Sequence, residues 1–469
     1  VFIKKHVKSN WFALVPHPHS LDAGTSSNVF NQKCNWKIGR QGDYLTHTWL
    51  RLGLSAVTSS STTYSGGATG LYLRWCHNLA HNLIESIQLT FTGIPGAKMD
   101  SFFLDFFSAF TVPAGKRNAY DNMIGNIPEL VNPIYDYTNA SAVQRLPAAT
   151  LNLPIPLPYT RETGIALPAS TLIYNDVLVE VDFRDYTECL VVSNAREVTV
   201  SSVIAHCSRN ATSSDVAAAP TLSAALWGTY AVVTTDERKR MGKTQRDVIW
   251  EVAQDQNTQS ISTSSTSHEL PLRYSHAVKA LLFGVENITV TSDHSNYTTR
   301  EPFCRFAASS GLTTCEFPSP LAFDPIERVS LMYEGAQRLD NMPVDYFALV
   351  QPYYFTRSAP TITGYHMYSF SLDLSDINHL GSVDFGKLTN VSLQLIHSDD
   401  LVDALAGSTA NTRFYNELGV ASHLPPGYAA LTLGTSGAKG KAQSFQVRSA
   451  ALSHTAARFI GGAVGFPIF

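Results

Sequence analysis

Residues 177–183 read VLVEVDF. Val179, Val181 and Phe183 alternate with Glu180 and Asp182, the period of two that a half-buried strand requires, because successive side chains leave an extended backbone on opposite faces. The same alternation runs through SIQLTFTG at 86–93, where Ile87, Leu89 and Phe91 oppose Gln88 and Thr90. It recurs in SFSLDLS at 369–375, with Phe370, Leu372 and Leu374 against Ser369, Ser371 and Asp373, and in TWLRLGL at 48–54 and VSLQL at 391–395. Many short strands divided by long Gly, Pro, Ser and Asn stretches point to an all-β sandwich.

Helical signals are few. Met99, Phe102, Phe103, Phe106, Phe107 and Phe110 recur at steps of three and four, which predicts one buried stripe on a helix ended by Pro113. In TTDERKRMG, Thr234 and Glu237 have the capping-box spacing and Gly242 supplies a stop. The aperiodic stretch SRNATSSDVAAAPTLSA at 208–224 reads as a linker, dividing the chain into β domains at 1–212 and 213–469.

With 469 residues the chain is too long for one compact core. Charged residues make up only 15%, against about 25% in an average globular chain. A surface so short of charge predicts that much of it is covered by other protein. The net charge of −4 gives no global pull toward nucleic acid or an anionic membrane. Cys34, Cys76, Cys189, Cys207, Cys304 and Cys315 form no C-x-x-C pair, so buried thiols in a reducing compartment are expected. The sequons at Asn139, Asn210, Asn287, Asn296 and Asn390 matter only if the chain meets a glycosylation machinery. No apolar run approaches a membrane span, and no signal-peptide pattern opens the chain. Val1 rather than Met stands first, which predicts further sequence ahead of it.

Catalytic and metal signatures fail on inspection. His77 and His81 have the i, i+4 spacing of a helical metal pair, but Asn78 stands where a zincin needs its glutamate. His17 and His19 flank Pro18 with no glutamate at cupin spacing. In TLGTSGAKGKA at 432–442 the glycines are one residue too far apart for a phosphate loop, and Ala442 replaces the magnesium-binding hydroxyl. Arg238, Lys239, Arg240, Lys243 and Arg246 interleave with Asp236, Glu237 and Asp247, the pattern of a solvated helix face. No cofactor is implied.

KRNAYDNMIGN at 116–126 follows the apolar FFLDFFSAF and crowds charge, amide and aromatic groups before Gly125. Together with RWCHNLAHNLIESIQLTF, the ALP of TGIALPAS, RYSHAVKALLF, SNYTT and RFIGGAVGFPIF, it resembles the major capsid protein of the iridoviruses, among the nucleocytoplasmic large DNA viruses. The blocks occur in order from FIKKHVKSNWF to GFPIF, so the resemblance covers most of the chain; PLPYTRETG at 156–164 and the segment 400–455 depart from it.

The resemblance implies a tandem double jelly roll, two eight-stranded β-sandwiches with a few short inserted helices. It further implies a pseudo-hexagonal homotrimer tiling an icosahedral shell assembled in the host cytoplasm. The expected partners are neighbouring capsomers, minor capsid and penton proteins, and an internal lipid membrane reached through other proteins, with no direct nucleic-acid contact. Arg117, Tyr120, Asp121, Asn122, Gly125 and Asn126 would form a structural loop behind a short helix. Asn296 and Tyr297 would lie at a subunit boundary, as would the stretches 117–137 and 287–300 around these residues. The competing readings are a carbohydrate-binding β-sandwich and a metal enzyme built on His77 and His81.

Overall fold

The structure is a computed structural model describing residues 11–24, 27–60, 71–133, 144–194, 208–255, 258–262, 265–299, 324–360, 362–406 and 443–466. Its strands fall into two sets, and among the described residues no ladder joins a strand before Val233 to one after Arg246. In the first set, one sheet runs Phe12–Pro18, Leu222–Val233, Tyr44–Leu54, Ala149–Pro154. The facing sheet runs Lys33–Lys37, Val177–Phe183, Ile84–Phe91, Ile94–Asp100, with Ser20–Ala23 added at its edge.

The second set repeats this plan. One sheet runs Arg246–Asp255, Phe445–Ile460, Ala277–Asn287, His366–Ser369, and the other Ser267–Pro271, Ser392–His397, Ile326–Tyr333, Ala336–Pro343. In each set the first strand in chain order pairs with the last, and the same four strands make each sheet. All of these pairs are antiparallel.

The alternation of VLVEVDF is realised in full. Val177, Val179, Val181 and Phe183 are buried, and the residues between them are half-exposed. Leu50, Leu52 and Leu54 from TWLRLGL enter the same core from the facing sheet. At about 1.5–3 kcal/mol per fully buried large apolar side chain, this burial is what fixes the register, since a slip of one residue would turn the whole row outward.

SFSLDLS departs from its reading. The strand ends at Ser369, and Leu372 is exposed. The polar side chains of this stretch bind the local backbone instead: Ser369 Oγ accepts from the Ser371 amide at 3.2 Å, and Asp373 Oδ1 from the Ser375 amide at 2.7 Å. Those bonds compete with ladder pairing.

The phenylalanine helix spans Ser101–Thr111, with Asp100 Oδ1 accepting from the Phe103 amide at 2.8 Å at its start. It is buried on every side from Ser101 to Phe110, where one stripe was expected. Phenylalanine costs a helix only a few tenths of a kcal/mol in propensity, far less than its burial returns.

KRNAYDNMIGN is mostly helix, Arg117–Ile124, and not the expected loop. Asp121 lies one turn from Arg117, its carboxylate 3.3 Å from the guanidinium, and Ile124 is buried. Gly125 closes the helix at φ 80°, and a Cβ there would come within 2.8 Å of Leu151 Cδ2. The backbone conformation and the packing therefore both call for glycine.

The expected linker is also displaced. Ser208–Asn210 pairs with Leu190–Asn194, and Leu222–Val233 lies in the middle of the first sheet. Pairing changes partner set only across the helix Thr235–Lys243. Only the first three residues of this strand, Leu222–Ala224, fall in the stretch that read as aperiodic, and beyond them buried positions alternate with more exposed ones up to Tyr230.

Candidate functional site at the junction of the two halves

Several charged residues sit inside otherwise apolar strands, and the structure shows why. Glu251 in VIWEVA and Lys279 in HAVKALLF are buried, with Lys279 Nζ 2.5 Å from Glu251 Oε1. From the first half, Arg161 Nε reaches Glu251 Oε2 at 2.7 Å, and its guanidinium lies 4.7 Å from the centre of the Phe107 ring. Lys279 also donates to the Leu374 carbonyl at 2.9 Å and to that of Asp376. Burial pulls the Lys279 pKa below its ordinary value, while the Glu251 charge resists.

Arg448 forms a second cluster. It binds Asp100 of the first half, lies 3.6 Å from Glu286, and covers the Phe102 ring at 4.8 Å. Burial alone would raise the Glu286 pKa, but the nearby His294, 3.9 Å away, and the Arg448 charge outweigh it and hold the carboxyl at about 2. Asp100 thus caps the phenylalanine helix and anchors the opposite half at once. Nearby, buried Arg74 and Asp293 approach to 2.8 Å across the same junction, a charge contact whose angles are poor for a hydrogen bond.

A third cluster surrounds His81. Its Nδ1 lies 2.5 Å from Asp105 Oδ1, and its Nε2 2.8 Å from the Tyr120 hydroxyl. With the proton on Nδ1 facing the carboxylate, Nε2 accepts from Tyr120. Burial raises the Tyr120 pKa, so the phenol keeps the proton it donates. Ser295 Oγ donates to Asp105 Oδ2, as does the Tyr297 hydroxyl at 3.4 Å, and Asn82 Nδ2 reaches Ser295 Oγ at 2.7 Å. Both ring nitrogens of His81 are engaged inside the protein, and no group of three metal-ligating residues occurs among the described residues.

The structure brings Tyr120 and Tyr297 to this one cluster, a connection the sequence did not announce. Tyr297 is only 3% exposed, enclosed by Phe102, Phe106 and Tyr365 of its own chain. It therefore joins the halves instead of facing another subunit. Asn296 is half-buried, and its Oδ1 accepts from Thr298 Oγ1 at 2.9 Å. Arg117 and Asp121 pair on the helix surface, Asn122 is exposed, and the Asn126 amide donates to the Asp121 carbonyl at 2.8 Å.

The remaining candidates are placed as follows. His19 is buried beside Tyr230, with ring centroids 5.8 Å apart. Arg238 pairs with Asp43 at 2.6 Å on a helix without buried residues. The loop 432–442 lies outside the described residues, as do Cys207, Cys304, Cys315 and Asn139. Cys34, Cys76 and Cys189 are buried thiols, and Cys189 Sγ donates to the Asn82 carbonyl at 3.2 Å. Asn287 Nδ2 donates to Gln443 Oε1 at 2.7 Å, and Asn210 Nδ2 to Thr291 Oγ1 at 2.6 Å across the junction. The junction charges were the functional residues missed; a lone charge within an apolar strand was the signal that could have found them.

The geometry of these clusters holds two β-sandwiches of the same strand order in one fixed relation, and this defines a double jelly-roll protein. Residues 1–232 match the family described as "Major capsid protein N-terminus", and residues 237–422 that of "Large eukaryotic DNA virus major capsid protein".

The chain is 37% identical to the major capsid protein of Invertebrate iridescent virus 6, over 100% of this chain and 92% of that one. It is 39% identical to that of Wiseana iridescent virus, over 87% and 81% of the two chains. With the major capsid protein of Lymphocystis disease virus 1 the identity is 34%, over 100% and 92%. The chain belongs to the major capsid proteins of the iridescent viruses, within the large eukaryotic DNA viruses.

Two solved structures share its fold. The quasi-atomic PBCV-1 capsid gives a TM-score of 0.66 at 17% identity, covering 100% of this chain and 99% of that chain. The Faustovirus major capsid protein gives 0.65 at 10% identity, covering 97% and 92%.

Proposed function

We propose that three copies of this chain form a pseudo-hexagonal homotrimer, and that such trimers tile the icosahedral shell of a large DNA virus. The carrying observation is the repeat itself: two sandwiches of one strand order are locked side by side, so three chains supply six similar blocks around a threefold axis. The partners are then neighbouring capsomers and the minor capsid and penton proteins, with the internal membrane reached through other proteins. The modest net charge supports a role without direct nucleic-acid contact.

The role is structural and not catalytic, which the enclosed hydrogen bonding of His81 supports. The boundary between the two sandwiches falls within 234–245, and limited proteolysis should cut there before it cuts either sandwich. In the stretches expected at a subunit boundary, Asn118, Asn122, Glu129 and Thr291 are exposed and Asn296 is half-buried, which leaves surface for a neighbour. Assembly in the host cytoplasm predicts bare sequons by intact mass. Sedimentation of the purified chain tests the trimer, and a single species at the monomer mass at all concentrations would reject it.

A further inference from the structure

Cys76 and Cys189 lie far apart in the sequence, and the fold sets them opposite each other. Leu71–Trp75 and Leu190–Asn194 run antiparallel, with Trp75 opposite Leu190. One step beyond that pair, the Cys76 amide donates to the Cys189 carbonyl at 2.9 Å. Residues facing each other across such a bond have Cα atoms about 5.5 Å apart, inside the range of roughly 4.4–6.8 Å that a disulfide spans. Both side chains leave the ladder on one face and both are fully buried. Each sulfur acts on the other's pKa, as near neighbours do.

The surroundings activate one of the two. Cys189 Sγ donates to the Asn82 carbonyl at 3.2 Å, and Arg184 Nη1 donates to the same oxygen at 2.8 Å. The Cys76 thiol, with His294 and Arg184, pulls the Cys189 pKa below its ordinary value, while burial pushes that of Cys76 up. A more nucleophilic sulfur beside one kept as a thiol is the arrangement of an attacking cysteine and its resolving partner.

We propose that Cys76 and Cys189 are a latent disulfide, kept as thiols where the chain is made and joined by a peroxide once the protein meets oxidising surroundings. Cys189 Sγ attacks one peroxide oxygen, the O–O bond breaks, and the departing hydroxide leaves as water with the thiol proton. Cys76 Sγ then attacks the resulting sulfenic sulfur, the S–O bond breaks, and a second water carries off the Cys76 proton. Two thiols and one hydrogen peroxide thus become one disulfide and two waters. Hydrogen peroxide is scarcely larger than water, and Leu71–Trp75 is the edge strand of a three-stranded sheet, so a local opening admits it. The bond closes a loop of roughly a hundred residues that contains the phenylalanine helix, the long-loop case in which a cross-link most constrains the unfolded chain. It also fixes the strand carrying Arg74, whose charge meets Asp293 across the junction. The bond requires no second copy.

The test treats the full chain with hydrogen peroxide and maps its peptides without reduction. Expected are peptides joined between Cys76 and Cys189, and a melting temperature raised by about 3–8 °C that dithiothreitol reverses. Cys76→Ala should lose the joined peptides and the rise, and should hold Cys189 as a sulfenic acid that dimedone labels. Cys189→Ala should leave Cys76 unlabelled. A wild-type map in which the two stay thiols, go on to higher acids or join other cysteines overturns the proposal, and this map decides alone should a variant fail to fold. A melting rise that survives in Cys76→Ala overturns it as well.

Discussion

The two cores of the molecule differ in ownership. The core between the second sandwich's sheets is built from its own residues, Leu270, Val285, Leu331, Leu395 and Val447 among them. The core of the first sandwich does not stop at its own sheets but takes in Trp250, Leu282, Met367 and Leu452 from the second. Strand Ala277–Asn287 is consequently buried along almost its whole length, Leu281 and Phe283 facing one core and Ala280 and Leu282 the other. A sandwich sheet ordinarily turns one face to water. Here that face is spent on fixing the relation of the two halves.

The ion pairs act with that apolar contact. A buried pair gains little net free energy over an apolar substitute, but leaving one member unpaired is costly. The Glu251, Arg448 and Arg74 clusters therefore serve to reject other arrangements of the halves, while the phenylalanines supply the attraction.

The sharpest way to break the comparison is Glu251→Ala, which strands Lys279 and Arg161. It should cost about 3–5 kcal/mol and bring both sandwiches down in one calorimetric transition. Leu395→Ala, in the self-contained core, should cost about 2–5 kcal/mol. If Glu251→Ala instead split the melt in two and left one transition at the wild-type temperature, the shared core would be refuted.

Acid sharpens it next. Burial lowers the pKa of His19, beside His17 and Tyr230, and of His454, near Glu251, Lys279 and His379, to about 4 each. The unfolded chain takes up these protons near pH 6.5, before the folded one does, so stability falls as pH drops from about 6.5 toward 4. Each histidine should contribute a loss of about 2 kcal/mol by pH 5. His19 belongs to the first sandwich and His454 to the second, and burial also lowers the pKa values of His268 and His397, so the decline should shrink but persist when either His19 or His454 is replaced by Gln. A melting temperature flat between pH 7 and 5 would contradict this.

Tyr120→Phe removes the donor to His81 and should cost about 1–3 kcal/mol by thermal melting, with the fold retained. The smallest effect belongs to Asp121→Ala. Its ion pair with Arg117 is partly exposed, and no more than about 0.5 kcal/mol should be lost. A larger loss for Asp121→Ala than for Tyr120→Phe would relocate the anchor from the His81 cluster to the helix surface.

The strands were legible where large residues alternate, as in VLVEVDF and SIQLTF, because burial of one face leaves a local mark. The start of the strand 222–233 merged into the linker because Leu222–Ala224 continue a small-residue polar stretch, and SFSLDLS misled because serine and aspartate can satisfy backbone groups locally. KRNAYDNMIGN looked like a loop since its helix is short, with Arg117–Asp121 as its one cue and Ile124 its one buried side chain. The junction was least legible of all. Asp100 and Arg448 are 348 positions apart, and nothing local in either segment specifies the other.

The strand Phe445–Ile460 lies between Arg246–Asp255 and Ala277–Asn287, yet it is the last of the second sandwich's eight to leave the ribosome. Synthesis proceeds at about 5–20 residues per second, and domains generally fold in order of emergence. During translation the phenylalanine helix and Phe91 must therefore wait without Leu452, Arg448 and Phe459 to cover them. For that interval the nascent first sandwich displays a greasy flank that no completed chain shows. Crowded polysomes translating this message are where mispairing between neighbouring chains is most threatening, and where chaperone demand should concentrate.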